Sequence, residues 1–238
     1  MSMSPNFRDF DGLKSRTIFC AWTGHDPLSD NRLNALWSLF NNAGCPVVFL
    51  TARTIDTWQK PGFPFHPAYP FLSSMHKADY LRTYLMHHYG GGYTDIKLTS
   101  KHWAPFFDQL EASDAHALGY PELEEGIPHM EGEVGDQMRA VHSELIGICT
   151  VICRKGTPFT AKWLDFLERR LDAAMPLLQQ HPARHPMDHH GVTLPDGTVS
   201  PYPFRWAGVG GETFTPHVYE FRDQIIKAPI EPIFGGYR

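Results

Sequence analysis

Residues 73–97 read SSMHKADYLRTYLMHHYGGGYTDIK. Ser73 or Ser74 offers an N-cap oxygen, helix-compatible residues follow, and Gly90-Gly91-Gly92 stops the run, so the spacing predicts a helix over Met75–Tyr89. On that helix Asp79 and Arg82 are three residues apart and share a face, among the apolar neighbours Ala78, Leu81, Leu85 and Met86. A carboxylate and a guanidinium on a largely buried helix need partners, because an unpaired buried charge costs several kcal/mol. Two readings stand: the two groups pair with each other, or they point at a polar ligand. In the second, the carboxylate accepts from hydroxyls and the guanidinium donates to hydroxyls or phosphate. One glycine suffices for a helix C-cap; three permit a sharp reversal and a close backbone approach. Tyr93–Leu98 then reads as a strand edge on which Asp95 and Lys97 alternate with Thr94 and Ile96 and face the same side. In parallel α/β sheets, ligands bind outside the carboxyl ends of strands, where this pair is expected.

Working outward, Thr17–Trp22 is a β-branched and aromatic run, expected as a first strand. Asp30–Phe40, capped by Ser29 or Asp30, places Leu33, Leu36, Trp37 and Phe40 at helical spacing, and Pro46–Thr51 reads as a second strand. Strand, helix, strand in that order is a parallel unit. Trp58–Phe71 is an ordered loop rich in Pro, Gly and aromatics. Ala115–Tyr120 and Leu145–Ile152 are further strands, and Thr157-Pro158 opens an amphipathic helix over Phe159–Leu178. His181–Pro203 reads as a loop, and Gly208–Arg238 as short strand-like pieces broken by prolines. The expectation is an α/β fold with a mostly parallel central sheet flanked by helices, one domain over residues 1–238 with halves of about 15–110 and 111–238.

Composition narrows the function classes. A chain of 238 residues with 42% hydrophobic and 20% charged residues holds a core without staples. A net charge of −5 with no Lys/Arg block argues against nucleic acid as a partner. No apolar run is long enough to span a bilayer, and Met1–Arg16 lacks the apolar segment of an export signal, so a cytoplasmic location is expected. Cys20, Cys45, Cys149 and Cys153 form no CxxC pair and are expected as free thiols in a reducing compartment. His181, His185, His189 and His190 fit no standard zinc spacing. The acidic stretch Glu122–Asp136 reads as a solvated loop, and Gly208–Gly211 as a turn between short strands.

The pattern Ala78-Asp79-Tyr80-Leu81-Arg82, then Tyr89-Gly90-Gly91-Gly92-Tyr93, then Asp95-Ile96-Lys97 resembles the sugar-binding region of the DXD-containing glycosyltransferases. These include the family 32 mannosyltransferase type, the capsular polysaccharide synthesis proteins and, more distantly, the clostridial glucosylating toxins. Ala21-Trp22-Thr23-Gly24, Glu144–Phe159 with Trp163, and Gly208–His217 are weaker echoes. The resemblance implies a GT-A nucleotide-diphospho-sugar transferase fold. The implied reaction moves a sugar from a UDP- or GDP-sugar to a glycan or glycoconjugate hydroxyl, with retention. By position, Asp79 and Arg82 hold the donor sugar with Gly91, Gly92 and Tyr93 beside them, and Trp22 flanks the base. Asp95, Lys97 and Arg82 carry the catalytic charge, Asp95 and His217 are candidate ligands for Mn²⁺ or Mg²⁺, and for an inverting reaction Glu144 or Asp136 is the candidate acceptor-side base. Lys97 departs from the family pattern, standing where the second Asp of D-x-D binds the ion. Either the metal is retained through Asp95 and His217, or the Lys97 ammonium neutralises the diphosphate. A non-catalytic nucleotide-sugar-binding relative is the alternative.

Overall fold

The computed structural model describes residues 15–130 and 132–236; residues 1–14, Glu131 and residues 237–238 lie outside the description. The protein is built on a six-stranded sheet in the order β2-β1-β3-β5-β4-β6. Its strands are β1 (Ile18–Trp22), β2 (Val47–Thr51), β3 (Gly91–Thr94), β4 (Ala117–Pro121), β5 (Ile146–Cys153) and β6 (Ile225–Lys227). β1 pairs in parallel with β2 and β3, and β4 with β6, while β5 runs antiparallel to both its neighbours. Every strand except β5 therefore points the same way, the mostly parallel sheet expected.

Among the described residues six α-helices complete the fold: α1 (Asp30–Asn42), α2 (Ser74–His88), α3 (Ala104–Glu111), α4 (Glu133–Ala140), α5 (Pro158–Gln180) and α6 (Gly211–Glu220). Alternation along the strands divides the core in two. Ile18, Cys20, Leu118, Tyr120 and Ile152 pack under α1 and α3. Phe19, Tyr93, Ala117, Val151 and Cys153 pack under α2, α5 and α6. This is the period-two pattern of a sheet covered on both faces. Among the described residues no helix is long and apolar enough to cross a membrane.

The three caps read from sequence form as expected. Ser29, Ser73 and Thr157 each accept a hydrogen bond from the backbone N–H three residues on. Three short helices were not expected. α3 replaces a stretch without assignment, and α4 occupies the acidic segment read as a solvated loop. α6 follows the Gly208–Gly211 cluster, read as a turn between strands. α6 contains Pro216 and three threonine or glycine residues of low helix propensity, so its pattern is weak locally. Buried Phe214 and Val218 hold it, with Phe214 packed on Trp163 at 4.8 Å. Tertiary packing overrides propensity there.

The topology creates one special place. From β1 the chain runs through α1, on one face, to β2; from β2 it crosses through α2, on the other face, to β3. β1 and β3 are therefore neighbours whose flanking helices leave in opposite directions. The crevice beyond their carboxyl ends is the topological switch point, where open α/β sheets bind ligands.

Candidate functional site

β3 ends at Thr94, and Asp95 is the next residue at the switch point. The strand does not continue to Leu98 as the sequence suggested. Instead the Lys97 N–H bonds back to the Asp95 carbonyl at 2.8 Å, a tight three-residue turn. The turn still brings the two side chains together, with Lys97 Nζ 3.4 Å from Asp95 Oδ2. Ile96 between them is buried in the core beneath α1 and α3, which fixes the turn.

Arg82 reaches the same point from α2. Its Nη1 donates to Asp79 Oδ1 and its Nη2 to Asp95 Oδ1, both at 2.6 Å. The guanidinium lies 4.7 Å over the Tyr93 ring, and the Tyr93 hydroxyl donates to the Ala78 carbonyl. Arg82 is 3% exposed, Asp79 15%, Asp95 29% and Lys97 9%. The intrahelical pair is thus present, and Asp95 joins it through the same guanidinium. Arg82 clamps the two carboxylates together, and both keep a small exposed fraction.

Electrostatics separates the two carboxylates. Burial pushes the Asp79 carboxyl up to about 6, against the pull of Arg82. Burial acts the same way on Asp95, but Arg82 and Lys97 together outweigh it and hold its carboxyl below the ordinary value. The carboxylate with two cations is held ionised; the one with a single shared cation takes up a proton more readily. Lys97 Nζ also donates to Cys149 Sγ at 2.9 Å and lies 5.0 Å from the Phe234 ring centre. Burial lifts the Cys149 thiol to about 11, so it is a neutral partner rather than a nucleophile.

Other elements close on this centre. A side chain at Gly210 would place its Cβ 2.9 Å from the Asp79 carboxyl carbon, so the absent side chain makes room for Asp79 at the start of α6. The His181–Pro203 loop is anchored on the start of α2. The Met75 N–H donates to the Pro186 carbonyl, and buried His76 donates through Nε2 to the Trp206 carbonyl while its Nδ1 meets the Tyr202 hydroxyl. Trp22 ends β1 on the same edge, half-buried, its indole N–H donating to the Asp26 carbonyl at 2.7 Å.

The remaining expected residues lie elsewhere. Gly91 and Gly92 sit at the amino end of β3. A Cβ on Gly91 would lie 2.4 Å from the Thr17 carbonyl oxygen, and one on Gly92 2.5 Å from the Trp103 ring. Gly90 and Gly91 also adopt φ of +70° and +82°. The triplet answers to backbone reversal and packing, and Gly90 and Gly91 line a cavity of about 590 Å³ at the opposite edge of the sheet. His217 belongs to the contact between α5 and α6, its Nδ1 donating to the Thr213 carbonyl and its ring 5.2 Å from Phe166. Glu144 is exposed and stands 3.9 Å from Arg222. Glu122, read from the sequence as part of a solvated acidic loop, has its carboxyl raised by burial and feels Lys97. Cys149, Phe234 and Gly210 were also missed as neighbours of the centre; they are distant in sequence and carry no local motif.

A divalent ion fits this donor set poorly. Asp95 already has Arg82 on one oxygen and Lys97 beside the other. His217 shares no partner with it, and no cluster of three His, Cys, Asp or Glu suited to a metal occurs among the described residues. Unit charges about 4 Å apart interact by roughly 4 kcal/mol near a protein surface, and a divalent ion beside Lys97 would double that repulsion.

No protein-family model matches the chain, and no curated protein matches it. Among solved structures, a protein described as PaToxG Glycosyltransferase aligns over 86% of this chain and 69% of its own, at 12% identity and a TM-score of 0.46.

Proposed function

We propose that this protein is a glycosyltransferase of GT-A type that binds a nucleoside diphosphate sugar at the β1/β3 switch point. One observation carries the reading: Arg82 holds the Asp79 and Asp95 carboxylates together, each 2.6 Å from one of its terminal nitrogens, with Asp95 immediately after the end of β3. Paired acceptors of fixed geometry suit the vicinal hydroxyls of a sugar, and the adjoining Lys97 suits a diphosphate. In this reading Asp79 and Asp95 contact the donor sugar, and Arg82 is a positioning residue behind them. Trp22 flanks the base from the end of β1.

The reaction breaks the bond between the anomeric carbon and the diphosphate oxygen, and the electron pair leaves on the diphosphate. An acceptor hydroxyl oxygen of a glycan bonds to that carbon. Its proton passes to the departing diphosphate oxygen on the same face, which retains the anomeric configuration. Among the described residues the Cys149 thiol beside Lys97 is held neutral by burial and the Asp79 and Asp95 carboxylates are engaged by Arg82, which favours this same-face course over a covalent intermediate.

The test is a thermal-shift screen of UDP-, GDP- and dTDP-sugars, followed by product analysis with the donor that binds. Asp95→Asn should lose donor binding and transfer while still folding cooperatively, at a melting temperature lowered by the ion pairs it gives up. Full transfer by that variant removes Asp95 from the site. Tight donor binding by the wild type with no turnover on any acceptor favours a binding protein over an enzyme; the ion-paired state of Asp95 and Lys97 is the feature consistent with that second reading.

A further inference from the structure

Resting on the donor reading above, we propose that the Lys97 ammonium takes the place of a divalent ion, so that this site binds the diphosphate without metal.

Three observations lead there. First, the Asp95 carboxylate is saturated with cations: Arg82 Nη2 lies 2.6 Å from Oδ1 and Lys97 Nζ 3.4 Å from Oδ2. An ion seeking Asp95 must displace one of them and then face the other at close range. Second, the side chain that the turn delivers beside Asp95 is itself a cation. The bond from the Lys97 N–H to the Asp95 carbonyl closes a turn that places residue 97 next to the exposed edge of residue 95, where a second metal-binding carboxylate would have to stand. Third, the ammonium is fixed before any ligand arrives. Cys149 Sγ, Asp95 Oδ2 and the Phe234 ring surround it, and the side chain is 9% exposed. A preorganised cation needs no reorganisation when negative charge develops on a leaving diphosphate. The neutral thiol of Cys149 holds the ammonium without cancelling its charge. Asp79 is a poor substitute ligand, since its Oδ1 already accepts from Arg82, its carboxyl packs against Gly210, and burial raises it to about 6.

The experiment measures binding of UDP and GDP by calorimetry, with uridine and guanosine as controls, in EDTA and in MnCl₂. Wild type, Lys97→Met and Lys97→Asp are compared. The expected result is wild-type diphosphate binding that is the same with chelator as with manganese. Loss of one charged contact should weaken diphosphate binding by Lys97→Met by about tenfold or more, leaving nucleoside binding unchanged. Lys97→Asp should bind weakly in EDTA and recover on adding manganese. Wild-type binding that requires manganese, or Lys97→Met with undiminished affinity for the diphosphates, overturns the inference while leaving the donor site in place. If neither UDP nor GDP binds in any condition, the donor reading fails and the inference fails with it. Should a variant not fold, the wild-type comparison between chelator and manganese decides alone.

Discussion

Replacing Arg82 by methionine leaves two carboxylates facing a buried gap that a cation had filled. In the wild type the guanidinium is almost completely buried and spans Asp79 and Asp95 at 2.6 Å each. Methionine roughly fills the volume of the stem but carries no charge, so the loss is electrostatic more than steric. Breaking a buried pair by deleting one partner costs about 3–5 kcal/mol. For a chain of this size each kcal/mol moves the melting temperature by about 2–4 °C, which predicts a drop of roughly 6–20 °C at pH 7. The pH dependence gives a sharper signature. Asp79 has a folded pKa of about 6 even beside Arg82, and it rises further without it. An acid whose folded pKa is raised stabilises fully only below its unfolded value, and loses that contribution as pH climbs through the folded value. The deficit of Arg82→Met should therefore shrink as pH is lowered from about 8 to about 5, where Asp79 protonates and the repulsion ends. Urea denaturation of both proteins across that range measures it. A loss below about 1 kcal/mol, or a deficit that stays constant with pH, would refute the clamp, since surface changes without a buried partner fall in that small range.

Two glycine substitutions separate backbone strain from crowding. Gly62 (φ +83°) has open space where a Cβ would stand, whereas Gly91 (φ +82°) has the Thr17 carbonyl oxygen at 2.4 Å. Gly62→Ala should lose about 1–2 kcal/mol from the left-handed backbone alone, and Gly91→Ala roughly twice that or more; equal midpoints in urea would contradict the packing account of the triplet. His76 provides a second pH signature. Burial lowers its pKa to about 4, so its neutral form stabilises the fold above the unfolded value and the contribution fades as pH falls through the folded one. His76→Gln should be less stable than wild type at neutral pH, and the gap should close between about pH 6.5 and pH 4; a gap that persists in acid would show that neutral His76 does not hold the His181–Pro203 loop.

Much of this was written in local patterns. The β-branched and aromatic run Thr17–Trp22, the caps at Ser29, Ser73 and Thr157, and the amphipathic stripe of α5 define strands and helices from neighbouring residues alone. Asp79 and Arg82 meet because a helix puts positions three apart on one face. Asp95 follows Arg82 by only thirteen positions, with the last turns of α2, the glycine reversal and β3 between them.

What tertiary structure alone decided lies farther apart in the chain. β5 runs against its neighbours, and no feature of Leu145–Ile152 announces a strand direction. α6 forms because Phe214 and Val218 find a buried place beneath α5, not because its residues favour helix. Gly210 makes room for Asp79 from more than a hundred residues away, and Cys149 and Phe234 converge on Lys97 from two further segments. The sequence determined which local shapes the chain takes, since neighbouring residues share one stretch of backbone geometry. Which of those shapes face one another, and hence what surrounds Asp95, depends on packing between distant segments, where a short-range pattern carries no information.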